Sequence, residues 1–236
     1  MSALRRIGHK GAHHMAPGNT LPSFDAALAA GVDMIEFDVL PEVRERPQDG
    51  RLLLAHDYEH GLDGALELDE GLAHLASEAF TGIGLDVDLK LPGYEERVVE
   101  ALRAHGLIER TLVSTMFMRS LVELRQLEPG LRLGWSVPRI GRDYAASVWL
   151  KVPAYGAVLY LRRRVVRAAR RHLAAGRCDA VMANWRLVSP ALVRAVRAEG
   201  GELYVWTVDD ARRIRALERL GVTGVITNDP RLFTVR

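Results

Sequence analysis

Acidic residues occupy alternate positions in two apolar runs of this sequence. A run from 34 to 40 carries Glu36 and Asp38, and a second run carries Asp86 and Asp88. Because side chains alternate between the two faces of a strand, each run has one apolar face and one acidic face. One such strand would also suit an exposed sheet edge, but two of them favour carboxylates that share a ligand. Mg²⁺ and Ca²⁺ prefer such oxygen ligands, so the pattern predicts a site for a hard divalent cation.

Two histidines stand where predicted strands end. His9 closes the first apolar run, and His56 closes a later one. A lone histidine at such a position is more often structural than catalytic. Barrel enzymes, however, place their catalytic groups at the C-terminal ends of strands. Because imidazole titrates near neutral pH, the pair indicates one proton acceptor and one proton donor. His13 and His14 lie in the following loop, where they could border the site.

These side chains need a fold that brings distant segments together. Eight short apolar runs alternate with amphipathic segments, which matches the strand count of a (β/α)8 or TIM barrel. The predicted strands are Arg6–His9, Met34–Leu40, Leu85–Leu89, Thr111–Thr115, Leu131–Trp135, Ala180–Asn184, Leu203–Val208 and Gly224–Thr227. A ninth run, Leu52–His56, follows the turn-forming pair Asp49-Gly50 and predicts a small β-hairpin excursion after strand 2. We therefore expect an α/β protein with a single barrel domain over residues 1–236.

Helical periodicity fills most of the connections between the strands. The first helix has Asn19 or Thr20 as its possible cap and Pro22 in its first turn. Further helices are predicted at Tyr94–Ala104, Arg119–Leu127, Pro190–Ala198 and Ala211–Leu220. Residues 138–178 are poorly assigned apart from a basic amphipathic helix at 161–171. That helix is either a solvated outer helix or a surface for an anionic partner.

Composition excludes several classes of protein. The chain has 236 residues, 48% hydrophobic and 26% charged, which is typical of a globular domain and not of a disordered or membrane-spanning chain. Its formal charge of +2 supplies no general attraction to nucleic acid or to a membrane, so neither partner is expected. The single cysteine, Cys178, is expected to be buried and inert, and a cytoplasmic location is the default. The oligomeric state stays open.

The same residues form an ordered series of short motifs. They are His9-Lys10-Gly11, Pro17-Gly18-Asn19-Thr20, Glu36-Phe37-Asp38, His56-Asp57, Asp88-Leu89-Lys90, Val205-Trp206-Thr207-Val208 and Gly224-Val225-Ile226-Thr227-Asn228-Asp229-Pro230. The series resembles the glycerophosphodiester phosphodiesterases, a family of metal-dependent (β/α)8 barrels related to the phosphatidylinositol phospholipase C enzymes. That family reads His-Arg-Gly, Pro-Glu-Asn-Thr, Glu-x-Asp, His-Asp, Glu-x-Lys, Val-Trp-Thr-Val and Ile-Thr-Asp-x-Pro.

The resemblance implies hydrolysis of a glycerophosphodiester to glycerol 3-phosphate and an alcohol. It implies one divalent cation, Mg²⁺ or Ca²⁺ with Mn²⁺ as a further possibility, bound by Glu36, Asp38 and Asp88. His9 and His56 would be the catalytic acid and base. Lys10, Lys90 and Trp206 would contact the substrate. Two alternatives stay open: a barrel that binds a phosphoester without turnover, and a lyase that forms a cyclic phosphate from lysophospholipid or sphingolipid head groups.

Three positions depart from the family pattern. Lys10 replaces arginine, which keeps the charge but loses the bidentate grip on phosphate. Lysine is rare here, since only three of the 32 basic residues are lysines. Gly18 replaces glutamate and removes a carboxylate beside the site. Asp88 replaces glutamate with a side chain one methylene shorter, so the cation must shift, gain a water or recruit Asp86. We expect these changes to affect rate, metal choice and substrate more than fold.

Overall fold

Eight parallel strands close into a barrel, as the repeated apolar runs predict. The computed structural model describes residues 3–59, 62–137 and 151–234, except for the side chains of 151–159. In chain order the strands are β1 (Arg5–His9), β2 (Met34–Pro41), β3 (Leu52–Leu53), β4 (Gly84–Leu89), β5 (Thr111–Thr115), β6 (Arg132–Ser136), β7 (Ala180–Asn184), β8 (Glu202–Trp206) and β9 (Gly224–Thr227). Strand β1 pairs in parallel with both β2 and β9, and these pairings complete the ring. The (β/α)8 prediction is confirmed.

Strand β3 is the predicted hairpin excursion, and it is shorter than the apolar run suggests. It pairs antiparallel with the end of β2, where Leu53 lies opposite Leu40. The run was expected to stay extended as far as His56, but the strand ends at Leu53. The backbone N–H of Leu54 already donates to the carbonyl of Leu66 at 2.8 Å, so pairing with β2 stops there. His56 therefore lies in a loop and not at a strand end.

Helices fill the connections between the barrel strands. Within the described ranges the α-helices are α1 (Leu21–Ala29), α2 (Leu68–Leu75), α3 (Glu95–Ala104), α4 (Met118–Leu127), α5 (Lys151–Ala174), α6 (Pro190–Ala198) and α7 (Ala211–Leu220). The four helices predicted after the first are confirmed, and the basic segment 161–171 lies inside α5. Thr20, and not Asn19, caps α1, since its side chain accepts from the backbone N–H of Ser23 at 3.4 Å. Residues 138–150 of the poorly assigned region lie outside the described residues.

The alternation along β2 separates two apolar compartments. Ile35, Phe37 and Val39 are buried against the helix layer, where the ring of Phe37 lies 5.6 Å from that of Phe24 on α1. A second cluster fills the inside of the barrel with Ile7, Met34, Leu112, Ala180, Met182, Tyr204 and Ile226. The acidic residues of β2 and β4 share the inner face with this second cluster, nearer the C-terminal ends of the strands. The closed barrel therefore brings the acidic side chains of β2 and β4 together at its C-terminal opening, the barrel mouth.

A polar network closes the opposite, N-terminal end of the barrel. The Tyr204 hydroxyl donates to Glu202 at 2.9 Å, and Arg5 pairs with the same carboxylate at 3.4 Å. Arg132 also pairs with Glu202. These contacts join strands β1, β6 and β8 at their starts. The network fills the N-terminal end of the barrel, and the cavity lined by His9, Glu36 and His56 lies at the opposite end.

Two further predictions concern the reactivity of the Cys178 thiol and the presence of membrane-spanning helices. Cys178 is 2% exposed, and burial raises the pKa of its thiol to about 12, which agrees with an inert side chain. Among the described helices, none combines the length and apolar character needed to cross a bilayer.

Candidate active site

Three carboxylates of neighbouring strands converge at the barrel mouth. Glu36 and Asp38 lie on β2, and Asp88 on β4 lies directly opposite Asp38 in the strand register. One oxygen atom from each residue lies within 4.8 Å of the others, a spacing that could hold one metal ion. An all-oxygen donor set of this kind suits a hard divalent cation. The convergence on which the metal prediction depends is therefore present.

Two lysines share the charge of Asp38, which is fully buried. Lys90 Nζ lies 2.5 Å from Asp38 Oδ1 and also contacts Asp88, and Lys10 Nζ lies 3.5 Å from Asp38 Oδ2. Burial alone would raise the pKa of Asp38, but the charge of Lys90 and the hydrogen bond from His56 hold it well below its usual range. For Lys90, burial is likewise outweighed by the acidic neighbours, so its pKa is raised.

The other two carboxylates of the triad have less positive charge beside them than Asp38 has. Burial, and then the charge of Asp38, raise the pKa of Glu36 well above its usual range, although its Oε2 accepts from the backbone N–H of Lys10 at 2.8 Å. Burial also raises the pKa of Asp88, and Lys90 offsets only part of that effect. Buried carboxylates with too few cations around them are what a bound divalent cation would stabilise.

His56 is held by the same carboxylate that contacts both lysines. Its Nδ1 donates to Asp38 Oδ2 at 3.0 Å, because a carboxylate can only accept. In the neutral imidazole the other nitrogen, Nε2, then carries no proton. His56 lines the cavity although it lies in a loop. The predicted acid or base therefore reaches the mouth from the hairpin excursion.

His9 is oriented by a chain of hydrogen bonds that starts at Asp209. Asn228 donates to Asp209 from its backbone N–H at 2.8 Å and from its side-chain Nδ2 at 2.7 Å. The amide oxygen of Asn228 must then face His9, whose Nδ1 donates to it at 2.6 Å. His9 Nε2 lies 3.9 Å from Glu36, on the side of the carboxylates. Burial lowers the pKa of His9 to about 4, so its ring is neutral at neutral pH.

Three polar residues in this network were not predicted as site residues. Asn19 donates to Asp38 Oδ2 at 3.1 Å and accepts from the Asp38 backbone N–H at 3.1 Å, so it orients the carboxylate instead of capping α1. Asn228 and Asp209 orient His9. In the sequence, only the positions of these residues point to a role in the site. Asn19 and Asn228 fall inside motifs of the series, and Asp209 directly follows one. Their hydrogen-bond partners could not be read from position alone.

A cavity of about 260 Å³ opens above these groups. Its polar wall carries both histidines and most of the acidic residues, together with Lys90. Its apolar wall includes Met116, Val137, Met182 and Trp206. Trp206, the last residue of β8, is thus placed where a substrate contact was expected. A small polar group and a flanking apolar group could be held side by side in this space.

Gly18 is required by the packing of the loop between β1 and α1. A Cβ atom at this position would lie 2.8 Å from Lys10 Cβ and 2.8 Å from His13 Nδ1. Such approaches are too close, so the space that a glutamate would need is taken by Lys10 and His13. The Lys10 side chain therefore packs directly against Gly18.

We expect Gly18→Ala to lower the free energy of unfolding by about 1 to 3 kcal/mol, the usual effect of overpacking a filled space. The displaced Lys10 should also lose its place beside Asp38, so KM for a phosphodiester should rise. Chemical denaturation and steady-state kinetics measure the two effects. Gly130→Ala is the control, because Gly130 is exposed and a Cβ there meets its nearest atom at 3.7 Å. Equal stability of both variants would contradict the packing argument.

Comparisons with known proteins agree on one family. The chain matches the Glycerophosphoryl diester phosphodiesterase family over residues 9–89 and 109–232. It is 24% identical over 257 residues to a glycerophosphodiester phosphodiesterase of Caldanaerobacter subterraneus subsp. tengcongensis, with 95% of this chain and 93% of the relative covered. The family match includes seven of the eight barrel strands in full and the C-terminal His9 of the first.

Solved structures support the same fold. A glycerophosphoryl diester phosphodiesterase structure from Silicibacter pomeroyi superposes with a TM-score of 0.76 at 20% identity, covering 98% of this chain and 92% of the other. A phosphodiesterase of Oleispira antarctica, solved in complex with the product sn-glycerol-3-phosphate, has a TM-score of 0.66 at 22% identity, with 98% and 96% covered. The motif order, the barrel and the match along most of the sequence lead to one conclusion: this chain belongs to the glycerophosphoryl diester phosphodiesterase family.

Proposed function

We propose that this protein is a cation-dependent phosphodiesterase that hydrolyses glycerophosphodiesters to glycerol 3-phosphate and an alcohol. The observation that carries the proposal is the convergence at one cavity of three carboxylates, two lysines and two oriented histidines. A barrel that used these residues only for packing would have no reason to collect so many charges at its mouth. Membership of the family supplies the phosphodiester as the bond that is broken.

Glu36, Asp38 and Asp88 would hold the cation. When bound, a divalent cation neutralises phosphate oxygens and stabilises the charge that develops during displacement. Lys90 and Lys10 add positive charge at the same rim and would bind the phosphate oxygens. Asn19 keeps the Asp38 carboxylate in a fixed orientation through its two hydrogen bonds. The phosphate would therefore meet a preorganised positive environment.

His9 and His56 would carry the protons. In each ring the Nδ1–H is donated to a fixed acceptor, Asn228 or Asp38, so the neutral ring has its proton-accepting nitrogen at Nε2. One ring takes a proton from the attacking water as its oxygen forms the new bond to phosphorus, and the other, in its protonated form, gives a proton to the alcohol oxygen as the bond from phosphorus to that oxygen breaks. Trp206 and the neighbouring apolar wall would contact the organic part of the substrate.

The direct test is a turnover assay with controlled cations. We expect protein stripped with a chelator to be inactive toward glycerophosphocholine, glycerophosphoethanolamine, glycerophosphoglycerol and glycerophosphoinositol. Addition of Mg²⁺, Ca²⁺ or Mn²⁺ should restore release of glycerol 3-phosphate from at least one of these substrates. Coupled detection of glycerol 3-phosphate measures the rate, and the ranking of the three cations identifies the preferred metal.

Phosphorus NMR of the products distinguishes the proposal from its alternatives. An open monoester, glycerol 3-phosphate, supports hydrolysis. A cyclic phosphate that persists as the end product, above all from lysophospholipid or sphingolipid substrates, would indicate the lyase instead. A diester that binds but is recovered intact with every cation would indicate a binding barrel and would overturn the proposed activity.

A further inference from the structure

Asp86 is a fourth carboxylate at the floor of the cavity, outside the predicted ligand set. It lies two residues before Asp88 on β4, so both side chains point into the barrel. In the strand register it is directly opposite Glu36 on β2. Its side chain is 1% exposed and lines the cavity. The two acidic pairs, Glu36 with Asp86 and Asp38 with Asp88, therefore form an inner and an outer layer.

The Asp86 carboxylate has no adequate partner among the described residues. Neither oxygen accepts a hydrogen bond of normal geometry from residues 3–59, 62–137 or 151–234. The other three carboxylates each have a donor or a lysine. A buried carboxylate that lacks one is costly unless a ligand completes its environment.

The outer layer also leaves room for an inner ligand. Asp88 is one methylene shorter than the glutamate of the family pattern, and its carboxylate is contacted by Lys90. A cation held by Asp88 would therefore lie nearer to the backbone of β4, the strand that also carries Asp86.

We propose that Asp86 is a fourth acidic residue of the metal centre and binds the cation from the floor of the barrel. The inference rests on the proposed function only in that a divalent cation is bound at all. The composition of the site supports it, since four carboxylic side chains face only two ammonium groups, those of Lys10 and Lys90. Groups that only orient the ligands of a metal typically change metal affinity by about 10- to 100-fold, so loss of a direct ligand should cost at least as much.

The first measurement is the affinity for Mn²⁺ alone, with no substrate, by isothermal titration calorimetry or by electron paramagnetic resonance. Asp86→Asn keeps the shape of the side chain and removes its charge. We expect it to weaken Mn²⁺ binding at least 10-fold relative to the unaltered protein. Glu95→Gln is the matched control. Glu95 is also 1% exposed with an oxygen that lacks a hydrogen bond among the described residues, but it lies on α3 and does not line the cavity. It should bind Mn²⁺ within about twofold of the unaltered protein.

The second measurement is thermal unfolding with and without Mn²⁺. Without cation, Asp86→Asn should raise Tm, because it removes a buried carboxylic group whose oxygens accept no hydrogen bond from the described residues. With saturating Mn²⁺ the gain in Tm should be smaller than that of the unaltered protein, since stabilisation follows the affinity of the bound ligand. A merely structural Asp86 predicts the opposite for the cation-free variant, namely a lower Tm or failure to fold.

The outcomes separate this inference from the proposed activity. Unchanged Mn²⁺ affinity in Asp86→Asn overturns the role of Asp86 and leaves the three-carboxylate site and the phosphodiesterase proposal in place. A cation-free variant that is less stable than the unaltered protein, or does not fold, also overturns it. No Mn²⁺ binding by the unaltered protein overturns the inference together with the cation dependence of the proposed function. Weaker binding with a higher cation-free Tm supports the inference, whichever substrate is turned over.

Discussion

Asp38→Asn is expected to lower kcat/KM for a glycerophosphodiester by about a thousandfold or more. Asp38 contacts both lysines and His56 and belongs to the carboxylate triad, so one substitution disturbs the cation, the phosphate contacts and a proton carrier. Charge stabilisation by a bound metal is worth several kcal/mol, and about 4 kcal/mol corresponds to a thousandfold in rate. Steady-state kinetics at saturating cation measures the loss.

Two accompanying observations make this result specific. Mn²⁺ affinity should fall in the same variant, because a triad ligand has lost its charge. Asp63→Asn, at an exposed loop position, should retain normal kcat/KM and Mn²⁺ affinity. If Asp38→Asn turned over substrate within about tenfold of the unaltered rate, Asp38 could not be a ligand of the catalytic cation, and the proposed site would have to be redrawn.

His9→Ala and His56→Ala are each expected to lower kcat by about 100-fold or more, the usual scale for loss of a catalytic acid or base. Both rings line the cavity, and each donates its Nδ1–H to a fixed acceptor, which leaves Nε2 for the reaction. The effect should fall on kcat more than on KM, since proton transfer matters in the transition state and less in substrate binding. Single-turnover kinetics at saturating substrate separates the two.

Histidines outside the cavity provide the control. His74 pairs with Asp25 at 2.8 Å, and His105 pairs with Asp69 at 2.8 Å, both at the helix layer. Alanine at either position should leave kcat within about twofold of the unaltered value. A near-normal kcat for His9→Ala or for His56→Ala would remove that histidine from the proton transfers and leave the other as the single carrier.

Lys10 shows why a family pattern cannot be transferred one residue at a time. In the sequence its replacement of arginine and the replacement of glutamate by Gly18 look like two separate losses. In the structure the Lys10 side chain fills the space above Gly18 and reaches Asp38 at 3.5 Å. Lys10 and Gly18 thus pack against each other, and Lys10 keeps a positive charge beside the carboxylates. The lysine still binds phosphate differently from an arginine, because an ammonium group lacks the planar fork of a guanidinium.

The fold and the location of the site were predictable because they depend on local pattern. The period-two alternation on β2 and β4 assigns Glu36 and Asp88 to the face opposite the apolar residues, and eight apolar runs with helical connections admit few topologies. Helix periodicity and motif order are likewise short-range features. The barrel and a group of carboxylates and histidines at its mouth therefore followed from the residues themselves, and the family resemblance selected Glu36, Asp38 and Asp88 as the ligands.

Contacts between segments far apart in the chain required the tertiary structure. Asn19 is an equally good cap by sequence, yet it orients Asp38, because the turn after β1 places its amide against β2. Asn228, which Asp209 holds in place, meets His9 only because β9 lies beside β1 in the closed ring. Asp86 has the same alternation as Asp88, and only the closed barrel shows that it is buried at the cavity floor. Sequence period assigns a side chain to a face, whereas distances between faces of different strands depend on how the barrel closes and twists.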